Sequence, residues 1–139
     1  MLTGPLLHPE ILAALGTAGH GSRILVADGN FPFATRGNPA ARRVYLNLAP
    51  GLVGVPDVLR VLVETVPIEA AAVMISEQGS HLPIHAELEA ALPAGTPLER
   101  LDRYAFYDAV DGRDLALIVA TGELRTYANV LLTIGVRTR

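Results

Sequence analysis

Five polar side chains stand where this 139-residue chain could do chemistry. His20 sits in Gly-His-Gly-Ser at 19–22, between glycines that leave the imidazole open to a ligand. Imidazole is the side chain best suited to both give and take a proton near neutral pH. A helix-ending histidine bonded to the last carbonyls is the structural alternative. Asp28 follows the apolar run Ile-Leu-Val-Ala and precedes Gly29-Asn30-Phe31-Pro32. Ligands of open α/β sheets bind beyond the carboxyl ends of strands, where an Asp can hold a hydroxyl; an Asp before Gly also suits a turn cap. Arg103 opens Arg-Tyr-Ala-Phe-Tyr, so a planar fork of donors lies beside flat apolar rings, a pairing suited to a sugar. Surface pairing with Asp102 or Glu99 is its alternative. Tyr127 and Asn129 are two residues apart, so a strand beginning at Ala128 would turn a hydroxyl and an amide to one side. That side could equally face water.

Other chemistries find less support. His81 and His85 are four apart with Glu77, Glu87 and Glu89 nearby, a spacing compatible with metal ligands. Pro83 lies between them and starts a helix, so the two imidazoles need not share a face. Cysteine is absent, which excludes a disulfide framework, a thiolate nucleophile and a cysteine metal site. There is no phosphate-binding loop, no full glycine fingerprint for a dinucleotide and no Gly-x-Ser-x-Gly elbow. Arg36, Arg42 and Arg43 form a small basic cluster that reads as a solvated loop or a subunit contact.

The elements that must position these groups follow from hydrophobic spacing. A helix is expected over Pro9–Leu15, where Ile11, Leu12 and Leu15 recur at helical intervals. Buried strands are expected at Ile24–Ala27, Ala70–Ile75 and Leu115–Ala120, and an alternating one at Arg43–Leu48. Pro56–Val66 carries the clearest apolar stripe, through Val58, Leu59, Leu62 and Val66. Further helices are expected over Pro83–Leu92 and Arg103–Val110, with strands at Leu98–Asp102 and Ala128–Ile134. Alternating helices and strands with little polar patterning predict an α/β fold. It should be a single domain, 1–139, with a largely parallel central sheet and helices on both faces.

Composition narrows the setting. The net charge of −3 opposes a polyanion-coating role, so no nucleic-acid partner is expected. No apolar run approaches the ~18 residues of a membrane helix, and the first residues lack the pattern of a signal peptide. No membrane partner and a cytoplasmic location are expected. Charged residues make up only 18%, below the roughly 25% of an average soluble chain. A small, charge-poor, apolar chain is expected to cover surface with copies of itself.

In order and spacing, Pro-Glu-Ile-Leu-Ala-Ala-Leu at 9–15, Gly-His-Gly-Ser at 19–22, Ala-Asp-Gly-Asn-Phe-Pro at 27–32, Arg-Tyr-Ala-Phe-Tyr at 103–107 and Thr-Gly-Glu-Leu-Arg-Thr-Tyr-Ala-Asn-Val-Leu-Leu at 121–132 resemble the bacterial ribose pyranase and fucose mutarotase family. The resemblance implies a sugar-ring isomerase without cofactor or metal. It implies His20 as proton donor, with Asp28, Arg103, Tyr127 and Asn129 binding the monosaccharide. Tyr104 and Phe106 become candidates for stacking on the sugar ring. It also implies a homo-oligomer, a decameric ring, with sites near subunit contacts. The Arg-Tyr-Ala-Phe-Tyr block resembles the fucose branch, while Ser22 and Asn30 depart from residues found there and leave the preferred sugar open. A ribose pyranase, a non-catalytic sugar-binding module and a purely structural ring are the alternatives.

Overall fold

The computed structural model describes residues 1–139. Ten elements follow one another: α1 (Pro9–Thr17), β1 (Arg23–Ala27), β2 (Arg42–Tyr45), α2 (Val55–Val63), β3 (Ile68–Met74), α3 (Pro83–Ala91), β4 (Leu98–Leu101), α4 (Arg103–Val110), β5 (Leu115–Ala120) and β6 (Val130–Ile134). They build one six-stranded sheet in the order β2-β5-β1-β6-β3-β4. Neighbours pair in parallel at β2–β5, β5–β1 and β3–β4, while β6 runs antiparallel to both β1 and β3. The sheet is therefore mixed and mostly parallel.

Burial explains the apolar runs. Successive side chains of a strand point to opposite faces. In β1, Ile24 and Val26 enter one core with Ile11 of α1, Leu59 of α2 and Leu88 of α3. Leu25 and Ala27 enter the other core with Phe106 and Val110 of α4. A strand covered on both faces has no polar side, which is why Ile-Leu-Val-Ala shows no alternation. Three helices cover one face of the sheet and α4 the other.

Local signals set the helix ends. Pro occupies the first turn of α1, α2 and α3, where its missing N–H costs nothing. Asp102 caps α4 by accepting from the Ala105 N–H at 2.9 Å. The expected strand over 43–48 is shorter, because after Tyr45 the chain leaves β5 and folds into a loop at 46–54. The last strand begins at Val130, so Tyr127 and Asn129 belong to the loop before it. No helix is long and apolar enough to cross a membrane.

Candidate functional site

Because β1, β3 and β4 are parallel, their carboxyl ends meet at one edge of the fold. Asp28 follows β1, Met74 ends β3, and Arg103 opens α4 just after β4. The reversed β6 brings its entering residues to the same edge. A cavity of about 210 Å³ opens there, lined by Asp28, Asn30, Met74, Arg103, Tyr127 and Asn129, with Phe31, Tyr107 and Thr126 completing it. Its place matches the site expected of open α/β sheets.

Asp28 is 3% exposed and is held by donors from two loops. Its Oδ1 accepts from the Asn30 N–H at 2.9 Å. Its Oδ2 accepts from the Ala128 N–H and from Asn129 Nδ2, each at 3.2 Å. Asn129 Oδ1 in turn accepts from the Asp28 N–H at 2.8 Å, so the two residues grip each other across the sheet end. Burial pushes the Asp28 carboxyl up from its ordinary value, against the opposing pull of these donors. A carboxylate offers roughly four acceptor positions. Three are taken, and the Phe31 N–H also bears on the carboxylate.

Arg103 projects from the start of α4, and its Nε donates to the Tyr107 hydroxyl at 3.1 Å, one helical turn on. That bond, with the nearby Tyr104 and Tyr127 hydroxyls, raises the guanidinium pKa further above its already high value. Arg36 lies over the Tyr107 ring from the loop after β1, its Cζ 4.9 Å from the ring centroid. Tyr107 thus orients the fork, a role that its type and position in Arg-Tyr-Ala-Phe-Tyr did not single out.

Tyr127 adopts φ +60, a left-handed backbone that non-glycine residues seldom take. The preceding loop is stitched down firmly. Thr121 Oγ1 donates to the Ala27 carbonyl at 2.7 Å, and the Gly29 N–H donates to the Glu123 carbonyl at 2.8 Å. Gly122 is pressed against the carbonyls of Ala49 and Leu52, where no Cβ would fit. The Glu123 carboxylate is buried and accepts from the Val55 N–H at the start of α2 and from Arg125. Arg125 holds the Glu123 carboxyl below its ordinary value, against the opposing effect of burial. Its other arm reaches Glu87 of α3 at 2.6 Å.

The structure brings Asp28, Arg103, Tyr127 and Asn129 together and leaves three expected groups outside. His20 precedes β1, at the other end of the sheet, where its Nε2 lies 2.9 Å from Glu69 Oε2. Glu69 is five residues before Met74 on β3, a separation of about 17 Å at roughly 3.3 Å per residue. Within one chain the imidazole cannot reach the cavity. Phe106 is wholly buried in the core beneath α4, so it presents no face to a ligand. Tyr104, 68% exposed, points into solvent and does not line the cavity. Helical geometry turns positions 103 and 107 to one side and 104 away. Phe31 and Tyr107 are the aromatic residues at the cavity besides Tyr127.

His81 and His85 do not form a ligand pair. Their ring centroids are 5.8 Å apart, but His85 spends both nitrogens on backbone groups. His81 Nδ1 lies 2.8 Å from Arg100 Nη1. The basic cluster is also structural in part: Arg43 donates to the carbonyls of Phe33, Arg36, Gly37, Asn38 and Ala41.

Comparison with known proteins adds an independent line. The family described as the RbsD / FucU transport protein family matches residues 1–137. A fucose mutarotase of Homo sapiens is 34% identical over 144 residues, covering 94% of this chain and 90% of that protein. A D-ribose pyranase of Paracidovorax citrulli is 32% identical over 134 residues, covering 94% and 95%. The structure of Bacillus subtilis RbsD complexed with D-ribose superposes with a TM-score of 0.84 at 25% identity, covering 99% of this chain and 100% of that one.

Proposed function

The chain belongs to the RbsD / FucU family, and on that footing we propose that it is a cofactor-independent monosaccharide mutarotase acting on L-fucose. It would interconvert anomers, and pyranose and furanose forms, by opening and closing the ring. The observation that carries this reading is the convergence of Asp28, Arg103, Tyr127 and Asn129 on one cavity at the strand ends. The choice of L-fucose rests on the Arg-Tyr-Ala-Phe-Tyr block at 103–107.

Opening a reducing sugar requires a proton at the ring oxygen and loss of one from the anomeric hydroxyl. No electrons are transferred, so positioned hydrogen-bonding and proton-transfer groups suffice. The Asp28 carboxylate takes a sugar hydroxyl, Asn129 offers the second lone pair of its Oδ1, and the Arg103 fork holds adjacent hydroxyls. Phe31 and Tyr107 border the apolar side of the ring. His20 exchanges one proton with the ring oxygen and the Tyr127 hydroxyl exchanges the other with the anomeric hydroxyl, and since His20 lies about 17 Å from its own cavity it acts on the cavity of a second copy. A homo-oligomer follows from that arrangement, and a decameric ring from the resemblance. A cytoplasmic location follows the same reading.

The test is saturation-transfer NMR of anomer exchange with L-fucose, D-ribose and D-galactose. Catalysed exchange fastest with L-fucose is the expected result. Fastest exchange with D-ribose makes the protein a ribose pyranase. Exchange at the solvent rate for all three, with binding retained in calorimetry, makes it a sugar-binding module. The separation of His20 from the cavity favours that second reading for any isolated chain.

A further inference from the structure

We propose that His85 is a positioning residue that fixes the direction of the Tyr127 ring at the cavity. His85 is wholly buried at the start of α3, and it touches no cavity surface itself. Its Nδ1 accepts from the Leu82 N–H at 3.3 Å, which leaves the ring proton on Nε2. That Nε2–H lies 3.0 Å from the Met74 carbonyl and 3.1 Å from the Tyr127 carbonyl, and donates to both.

The peptide joining Tyr127 to Ala128 is consequently held on both edges. His85 grips its carbonyl, while Asp28 Oδ2 accepts from its N–H at 3.2 Å. A planar peptide held at both its oxygen and its nitrogen cannot rotate about the chain axis. That rotation would change ψ of Tyr127 and φ of Ala128, the dihedrals through which Tyr127, already in a left-handed backbone, is joined to the sheet. Changing them would swing the phenol out of the cavity. The shared donor also ties this peptide to Met74, which ends β3 and lines the cavity. A single imidazole thus sets the spacing between the floor of the site and the loop that closes it.

This inference concerns the geometry of Tyr127, and its catalytic consequence rests on the mutarotase reading. Three measurements test it. In the unaltered protein, 15N–1H NMR should show His85 protonated at Nε2 and bare at Nδ1; a proton on Nδ1 overturns the proposal without any variant. In protein labelled with 13C-tyrosine, His85→Phe, which fills the space without donating, should shift and broaden the Tyr127 ring signal. His85→Gln, whose amide reaches about as far as Nε2, should restore it. A sharp, unmoved Tyr127 signal in folded His85→Phe overturns the proposal.

With the sugar turned over fastest, His85→Phe should lower kcat roughly 10–100-fold, as expected of a slightly misplaced group, while sugar affinity moves less than about 3-fold. His85→Gln should recover most of kcat. In a Tyr127→Phe background His85→Phe should add no further loss; full additivity overturns the proposal. If the unaltered protein catalyses no exchange, the mutarotase reading falls, and the tautomer and the Tyr127 ring signal still decide the role of His85.

Discussion

His20 and Asp28 lie at opposite ends of the same strand, with β1 between them and the imidazole bound to Glu69 rather than to any cavity group. Catalysis by His20 must then cross a contact between copies. His20→Ala and Tyr127→Phe should each lose about 10²–10⁴-fold in anomer exchange, the usual contribution of a positioned acid or base. Dissociated, mixed and reassembled, the two inactive proteins should regain a fraction of wild-type exchange, because some contacts then pair an intact His20 with an intact cavity. Saturation-transfer NMR reads this directly: full exchange in His20→Ala removes His20 from the chemistry, and a mixture as inactive as its parents removes its action across copies.

Arg103 is oriented by Tyr107, through a 3.1 Å bond to the hydroxyl. Lysine keeps the charge and loses the fork. Arg103→Lys should therefore raise KM roughly 10–100-fold, the equivalent of losing one charged hydrogen bond, with kcat changed less. Tyr107→Phe should raise KM by a smaller factor in the same direction. Equal effects on kcat and KM in both variants would mean that Arg103 does more than hold the sugar.

Two buried carboxylates give stability opposite dependences on pH. Glu123 is held below 4.5 by Arg125, so its contribution is present above the unfolded value and is lost as pH falls through the lowered one. Asp28 is pushed above 3.8 by burial, so the folded chain binds that proton more tightly and stability declines as pH rises through the raised value. Glu123→Gln should cost about 1–3 kcal/mol at neutral pH and flatten the acid limb of a denaturation series. Asp28→Asn should remove the decline above pH 3.8. An acid limb unchanged in Glu123→Gln would show that Arg125 does not stabilise the folded form through this pair.

Tyr45, Leu48, Leu52 and Leu124 are large apolar residues left exposed, Leu48 to 83%. The last three belong to loops in mutual contact, since Gly122 abuts the Ala49 and Leu52 carbonyls. Such exposed apolar side chains suit a subunit contact. Leu48→Asp should shift the mass measured by light scattering toward a single chain and abolish exchange together with assembly. A full-size assembly in that variant places the contact elsewhere.

Legibility in the sequence followed the physics of each element. Ile24–Ala27 and Leu115–Ala120 were readable because strands covered on both faces must be apolar throughout. Asp28 was readable because a turn residue directly after such a strand sits at its carboxyl end. The direction of β6 was not, since pairing direction is a tertiary choice that Val130–Ile134 does not encode in its composition. The distance of His20 from the cavity followed from β1 lying between His20 and Asp28, a separation that proximity in sequence hides. Phe106 and Tyr107 are adjacent and both aromatic, and only the phase of α4 decides that the first is core and the second lines the site. His85 left a histidine signal whose purpose depended on two carbonyls from distant segments.

The reversed course of β6 means that three of the nine residues lining the cavity come from a single stretch, 121–129, entering the sheet instead of leaving it. Along that stretch Thr121, Gly122, Glu123 and Arg125 fasten it, Thr126 and Tyr127 line the cavity, and Asn129 does both. The face shown to the cavity can therefore be rewritten by a few letters near the end of that stretch, leaving both hydrophobic layers and most of the fastenings as they are.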